Sequence, residues 1–152
     1  MNLKDNPIES RFSFPANLTI DEVDGDFTVT FTDLPEAITQ GETIEDALTE
    51  AVDCLEEAIA NRIISRLEIP VPSESERRDY IHIVTTPLQT SLKASIWLAM
   101  QEKNTNQTQL ARILDVDEKE VRRILDPSHN TKLETLERSL LALGKRPILH
   151  VA

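Results

Sequence analysis

The hydrophobic pattern of residues 27–47 changes its period from two to between three and four within a short stretch. Phe27, Val29 and Phe31 alternate with threonines, which is the pattern of a strand with one buried face. Pro35 must end that strand or confine it to an edge, because proline has no amide hydrogen to donate to a neighbouring strand. A helix with one apolar face follows. The chain is therefore predicted to contain a sheet covered by a helix.

Further strands are predicted on both sides of this unit. The segment 11–20 alternates apolar and polar residues, and Pro15 places it at an edge of the sheet or kinks it. Gly25 in an Asp-Gly pair predicts a tight hairpin turn, since glycine readily adopts the positive φ that such a turn needs. The remaining strands are predicted at 37–39 and 80–86.

The helix that follows the turn has a well-marked start. Thr43 is predicted to cap the first-turn amides and Asp46 to complete a capping box. The apolar residues recur every three or four positions and are predicted to lie on the sheet: Ile44, Leu48, Val52, Leu55, Ile59 and Ile63. The opposite face is acidic. The front half is thus predicted to be an antiparallel sheet with one packed helix.

The charge of the chain is unevenly divided. Residues 1–90 carry 6 Lys and Arg against 19 Asp and Glu, a net −13, whereas residues 91–152 carry 10 against 8, a net +2. An acidic surface repels phosphate, so the net charge of −11 conceals two halves with different electrostatic tasks. Prolines and small polar residues mark about 68–79 as a linker. We predict two domains, at 1–90 and 91–152.

Several classes of protein are disfavoured by what the sequence lacks. No apolar run approaches the roughly 20 residues that span a bilayer, and the start lacks the order of a secretory signal, so a cytoplasmic protein without a membrane partner is predicted. The single cysteine, Cys54, is interpreted as a small helix-face residue rather than a nucleophile. His82, His129 and His150 have no close Cys or His partner, so no triad, metal centre or cofactor is predicted.

The segment 106–125 has the spacing of a helix-turn-helix motif. Asn106 is predicted to cap a helix over 107–114, and Asp117 to cap a second helix after a tight turn. Ala111 is small where two helices must cross closely. Asp115 occupies the position where glycine is usual, and aspartate tolerates a left-handed conformation better than most residues. A third helix is predicted after a capping box of Thr131 and Glu134.

The outward face of the second helix is basic. Lys119 and Arg123 lie one turn apart on it, and such side chains can bind guanine edges or phosphates. The amides at the start of the first helix suit a backbone phosphate. The predicted DNA-binding residues are Asn106, Gln107, Glu118, Lys119, Arg122, Arg123 and Lys132. The alternative is a purely structural helical unit with a solvated basic face.

Both halves resemble a known family. The stretch "VTFTDLPEAITQGETIEDALTEAVDCLEEAI" resembles the N-terminal domain of HicB antitoxins, with an aromatic strand, a D-x-P-x-A-x-T-x-G turn and an acidic amphipathic helix. The stretch "TQLARILDVDEKEVRRILDPSHNTKLETLERSLLALGK" resembles the helix-turn-helix at the C-terminus of some members. The resemblance covers about residues 10 to 146. It implies an α+β chain with a partial ribonuclease-H-like sheet domain in front and an all-α DNA-binding module behind.

The resemblance also implies partners. They are a small basic RNA-cleaving toxin, HicA, which the acidic front domain would neutralise, and operator DNA, through which the protein would repress its own operon as a homodimer or dimer of dimers. The candidate toxin contacts are Asp33, Glu36, Glu42, Glu45 and Glu50. A second hypothesis stays open, in which the chain is a transcriptional regulator that senses a small ligand through its front domain. The net −13 of residues 1–90 favours the antitoxin.

A ribonuclease-H-like fold invites the hypothesis of a nuclease, in which paired carboxylates hold two magnesium ions. Such a site needs carboxylates that project from the centre of the first strand. The predicted first strand, residues 11–20, has none, and the acidic residues of 21–26 belong to the hairpin turn. We therefore predict that the protein is not an enzyme.

Overall fold

A computed structural model of the chain describes residues 10–74 and 78–151. Its elements are, in order, β1 Ser13–Ile20, β2 Phe27–Phe31, β3 Ile38–Gly41, α1 Ile44–Ile64, β4 Ile81–Thr85, α2 Leu88–Glu102, α3 Gln107–Leu114, α4 Glu118–Leu125 and α5 Leu133–Ala142. The predicted α+β class is confirmed, with four strands and five helices in the described part of the chain.

The four strands form one antiparallel sheet in the order β3-β2-β1-β4. In its register Ala16 pairs with Phe31, and Phe14 pairs with Val84. These four side chains and Val29 therefore share one face of the sheet, and all five are buried. The alternation seen in the sequence of β2 is the alternation between this apolar core and the other, threonine-bearing face.

The expectation that Pro15 places the first strand at an edge is wrong. β1 lies inside the sheet, between β2 and β4. Its pairing with β2 begins only at Ala16, so Pro15 pairs with β4 alone, opposite Ile83. Because β2 does not extend to Pro15, no ladder bond is lost on that side, and the proline is tolerated in an interior strand.

The apolar stripe predicted for α1 is wrong in its first half. The face of α1 that is buried in the sheet domain carries Ala47, Ala51 and Leu55, each fully buried. Small alanines allow the helix to approach its neighbours closely, which larger side chains would prevent. Three residues of the predicted stripe are instead exposed or half-buried: Ile44, Leu48 and Val52.

The corner between β3 and α1 has no room for a side chain at Gly41. A Cβ at this position would overlap the backbone nitrogen and Cα of Ala47, closer than real Cβ atoms approach backbone. The Thr43 hydroxyl accepts the Asp46 amide at 3.0 Å, so the predicted cap is confirmed. Glycine and the cap together turn the chain from an edge strand directly into a helix.

The remaining helices follow the predicted caps with one exception. Asn106 and Asp117 cap α3 and α4 as predicted. The predicted capping box of Thr131 and Glu134 is wrong, because α5 begins at Leu133 with Lys132 as its N-cap and without a side-chain cap bond. The Thr131 hydroxyl is engaged elsewhere, in the interior of the helical bundle.

The contacts divide the chain into two compact units that alternate along the sequence. Within the described residues, the sheet unit comprises 10–58 and 70–86, and the helical unit comprises 59–69 and 87–151. The second half of the predicted stripe, Ile59 and Ile63, is buried and belongs to the helical unit. Among the described residues, no helix has the length and apolar character needed to cross a membrane.

Candidate nucleic-acid and protein interfaces

In the helical unit, α3 and α4 are joined by a turn of three residues. Asn106 accepts the Gln109 amide at 2.8 Å, and the Gln109 side chain accepts the Asn106 amide at 2.9 Å, which closes a reciprocal capping box. Asp115 has φ 55° and ψ 48°, the left-handed conformation predicted for it. The Val116 amide then donates to the Ala111 carbonyl at 3.0 Å. The end of α3 is thereby closed and α4 starts in a new direction.

The packing of this pair separates an apolar side from a basic side. Leu110 and Ala111 of α3 and Val121 and Ile124 of α4 are buried. The exposed side of α4 carries the three predicted cations: Lys119, Arg122 and Arg123. Arg123 lies 3.5 Å from Glu120, and both side chains remain substantially exposed, at 47% and 39%. An exposed pair of this kind is weak, so the guanidinium can exchange the carboxylate for a phosphate or a base edge.

The C-terminal end of α4 is held by a lysine that the sequence analysis missed. Lys93 of α2 is fully buried. Its ammonium donates to the carbonyls of Arg123 at 3.1 Å, Asp126 at 2.6 Å and His129 at 2.6 Å, and to the Thr131 hydroxyl at 2.8 Å. Burial lowers the pKa of Lys93 to about 8, against the opposing effect of the Asp126 carboxylate. At neutral pH the amine therefore carries its proton, and its three N–H donors are shared among these four acceptors.

A signal for Lys93 was present in the sequence. It lies four residues before Trp97 and seven before Met100, so it occupies the apolar face of α2. A charged side chain on a buried helix face must find several partners, because an uncompensated buried charge is costly. The sequence does not reveal that those partners are three main-chain carbonyls and a hydroxyl 30 or more residues away.

The other predicted DNA-binding residues are distributed unevenly. Glu118 accepts the Thr108 hydroxyl at 2.9 Å and so connects α4 to α3. Asn106 uses its side chain for the capping box, while Gln107 is half-buried at the first position of α3. Lys132 is exposed at the start of α5. The structure therefore brings Lys119, Arg122 and Arg123 together on one helix and gives Asn106 and Glu118 internal hydrogen bonds.

A cleft of about 490 Å³ opens beside the start of α3. Its lining includes Arg66, Met100 and the polar residues 104–108, all of the helical unit. Trp97 also lines it, and the indole Nε1 of Trp97 is buried without a hydrogen-bond partner among the described residues. The cleft thus places a cation near the first amides of α3.

In the sheet unit, the predicted acidic contacts are distributed over the turns around β3 and over the first half of α1. Asp33 accepts the Ser73 amide and hydroxyl, each at 3.0 Å, and so anchors the loop after α1. Glu36 and Glu42 are exposed in the turns around β3. Glu45 and Glu50 are exposed on α1, but five helical positions place them about 140° apart around the axis.

The exposed residues of the first half of α1 line an open groove of about 700 Å³. Its lining alternates apolar and polar residues at helical spacing: Ile44, Glu45, Leu48, Thr49, Val52 and Asp53. The apolar residues follow one another every four positions, so they form a row along the helix. The polar residues form a second row beside it.

The side chains considered for catalysis do not form a metal-binding cluster in the described part of the chain. Among residues 10–74 and 78–151, no three His, Cys, Asp or Glu side chains lie close enough to hold a metal ion. Cys54 is half-buried on α1. Burial raises the pKa of its thiol and the nearby Glu57 carboxylate adds to the effect, which disfavours the nucleophilic thiolate.

The sequence comparisons with known proteins all indicate the same family. The sequence model of a family described as HicB-like antitoxin of bacterial toxin-antitoxin system matches residues 13–95. Antitoxin HicB of Pseudomonas fluorescens is 31% identical over 138 residues, which cover 91% of this chain and 94% of that protein. Antitoxin HicB 2 of Photorhabdus laumondii is 36% identical over 132 residues, which cover 87% of this chain and 91% of that protein.

A solved structure is also similar. It is a toxin-antitoxin complex from Streptococcus pneumoniae, one chain of which has 23% sequence identity and a TM-score of 0.43 with this chain. The match covers 72% of this chain and 92% of that one. This similarity is too low to support an argument about either unit.

Proposed function

The chain belongs to the HicB-like antitoxin family of bacterial toxin-antitoxin systems, and from that premise we propose that it neutralises a small, basic, RNA-cleaving toxin of the HicA type by direct binding and represses its own operon through α3 and α4. The sheet unit binds the toxin and the helical unit binds operator DNA. The proposal places the protein in the cytoplasm and assigns it no catalytic residue.

One observation carries the proposal: two exposed helical faces have opposite charge. Residues 42–57, which include the start of α1, contain seven Asp and Glu and no Lys or Arg. The exposed side of α4 carries Lys119, Arg122 and Arg123. A single partner cannot complement both faces, so the two faces serve two partners of opposite charge.

The acidic face suits an RNA-cleaving partner. A protein that binds RNA must present cations to the phosphate backbone, and the same cations attract carboxylates. A carboxylate-rich antitoxin therefore competes with RNA for that surface. Glu42 and Glu45 are exposed near the start of α1 and suit this purpose better than Asp33, which accepts two hydrogen bonds from Ser73.

The basic face suits the major groove of DNA. In this proposal α3 and α4 form a helix-turn-helix motif, α4 lies in the groove with Lys119, Arg122 and Arg123 toward the bases and phosphates, and Gln107 and Lys132 contact the backbone. One such motif contacts one half-site. We therefore propose a homodimer or dimer of dimers whose motifs lie about 34 Å apart.

The proposal is tested by separating the two activities in the full-length protein. The Lys119→Ala, Arg122→Ala and Arg123→Ala triple variant should lose binding to the operator, measured by gel shift with the duplex upstream of the operon. It should still co-purify with the small basic protein encoded beside the gene. A control variant with three cations of the helical unit replaced outside α4, Lys103→Ala, Lys145→Ala and Arg146→Ala, should bind the duplex nearly as the wild type does.

Two results would contradict the proposal. A triple variant that binds the duplex with wild-type affinity would reject the face on α4. The neutralising function is wrong if the wild-type protein neither binds the small basic protein encoded beside the gene nor protects RNA from cleavage by that protein. A regulator that senses a small ligand then becomes the better account.

A further inference from the structure

The groove on α1 combines an apolar floor with an acidic rim. Its floor is the row Ile44, Leu48 and Val52, and its rim carries Glu45 and Asp53 with Thr49 between them. The Thr49 hydroxyl donates to the Glu45 carbonyl at 2.9 Å, so the middle of the rim is already satisfied. The two carboxylates are exposed. A ligand of this groove must therefore bring both apolar surface and positive charge.

The apolar floor is only partly covered by the described residues of the sheet unit. The buried side of α1 in that unit is formed by Ala47, Ala51 and Leu55, a row only about 60° around the helix from Ile44, Leu48 and Val52. Ile44 is 46% exposed, and Leu48 and Val52 are half-buried. Since the alanine face already packs the helix in the core, the larger aliphatic side chains are not needed there and are left at the surface.

The charge of this region argues against a second copy of the chain as the occupant. Residues 42–57 carry seven carboxylates and no cation. Packing α1 of one copy on α1 of another would bring two such sets together, and like charges facing one another cost free energy. A cationic partner gains from the same set. Charge complementarity therefore selects a basic protein over self-association.

We infer that the groove formed by Ile44, Leu48 and Val52 is the docking site of the toxin, and that it takes a row of apolar toxin side chains flanked by lysines or arginines. The inference rests on the proposed toxin-binding function and specifies its surface. The apolar row contributes affinity, because an apolar surface of the toxin that packs on it removes aliphatic area of both proteins from water. Glu45 and Asp53 set the orientation and the rate of association.

This surface is narrower than the acidic set predicted from the sequence. Glu45 lies in the rim, whereas Glu50 lies about 140° away around α1. Asp53 was not among the predicted contacts, and neither was any apolar residue. The inference therefore assigns the binding energy to side chains that an argument from charge alone overlooks.

The test compares two isoleucines of the sheet unit in the full-length protein. Ile44 is 46% exposed and lies in the groove, while Ile38 is 61% exposed on β3 and lies outside its lining. The Ile44→Ser variant should bind the small basic protein encoded beside the gene about 10-fold more weakly, and a Leu48→Ser, Val52→Ser double variant about 100-fold more weakly. The Ile38→Ser variant should change the affinity less than about twofold. Titration calorimetry measures the affinities, and circular dichroism confirms that each variant is folded.

A second arm tests the rim. Glu45→Gln should slow association by roughly threefold at low salt, and Glu50→Gln should leave the rate nearly unchanged, as measured by stopped-flow fluorescence. Both changes remove one exposed carboxylate from the same helix, so net charge and helix length are matched. A rate that depends equally on both residues would mean that only the overall field acts, and would overturn the assigned orientation.

The outcomes separate this inference from the proposed function. If the wild-type chain does not bind the basic protein, the function fails and the docking site with it. If it binds, and Ile44→Ser and Ile38→Ser have equal effects, only the groove is wrong. If the double variant instead dissociates a homodimer and binds the basic protein normally, the occupant is a second copy and the inference is overturned.

Discussion

The two units position their exposed helices by different means. In the sheet unit, the corner into α1 depends on steric closeness, because the backbone of Ala47 lies where a Cβ of residue 41 would be. In the helical unit, α4 is held by hydrogen bonds: Asp117 caps its first turn at 2.8 Å, and Lys93 binds the carbonyls at its other end. A left-handed aspartate suffices at the turn before it.

The two units therefore hold an exposed helix through different interactions, and these interactions respond differently to substitution. A steric corner rejects any added atom but tolerates changes in charge. A polar anchor tolerates changes in volume but requires each donor and acceptor to be matched. Three substitutions test this difference between the two units, and the largest effect is expected for the first.

Removing the charge at Lys93 should have the largest effect. Lys93→Met keeps the length of the side chain but leaves three carbonyls and a hydroxyl without their donor, so the helical unit should lose about 3–5 kcal/mol of its free energy of unfolding. Chemical denaturation followed by Trp97 fluorescence measures this loss. Lys103→Met, at an exposed site, is the control and should change stability by less than about 0.5 kcal/mol. A stable Lys93→Met protein would show that packing alone holds α4.

Filling the corner at Gly41 should have the next largest effect. Gly41→Ala forces the backbone of Ala47 away, and we expect a loss of about 2–3 kcal/mol, with toxin binding weakened and DNA binding kept. Gly25→Ala is the matched control. Gly25 has φ +79° but nothing within 4 Å of a built Cβ, so alanine there should cost only about 1 kcal/mol from the backbone. Equal losses in the two variants would exclude the steric account.

The turn at Asp115 should give the smallest effect, of opposite sign. Asp115→Gly relieves the left-handed conformation at φ 55°, so the free energy of unfolding should rise by up to about 1 kcal/mol. Thermal unfolding by calorimetry measures the change. A loss of stability in Asp115→Gly would mean that the aspartate side chain, rather than the turn, supports this corner.

Much of the fold follows from short-range signals in the sequence. The strand of β2, the cap at Thr43, the bounds of α3 and the caps of α4 are encoded by periodicity and by side chains within four residues of the amides they bind. The prediction failed where a residue had to be judged against distant neighbours. Pro15 lies in an interior strand because β2 ends before reaching it, and Thr131 binds Lys93 instead of capping α5.

The candidate interfaces divide in the same way. The cluster of Lys119, Arg122 and Arg123 on α4 was predictable, because residues on one helix share a face according to their spacing alone. The groove on α1 was not predictable. Periodicity allows either the row of Ala47, Ala51 and Leu55 or the larger aliphatic row to face the core, and hydrophobicity favours the larger.

From the sequence alone we predicted the family, the opposite net charges of the two halves, the antiparallel sheet with its helix, and the capped helices that follow. These features depend on composition and on neighbours within one or two helical turns. The tertiary structure was needed to show which face of α1 is buried and which groups Lys93 binds. The buried face of α1 depends on how closely Gly41 allows the helix to approach, and the partners of Lys93 are carbonyls brought together from residues 123–129. Neither of these distances can be inferred from a local sequence pattern.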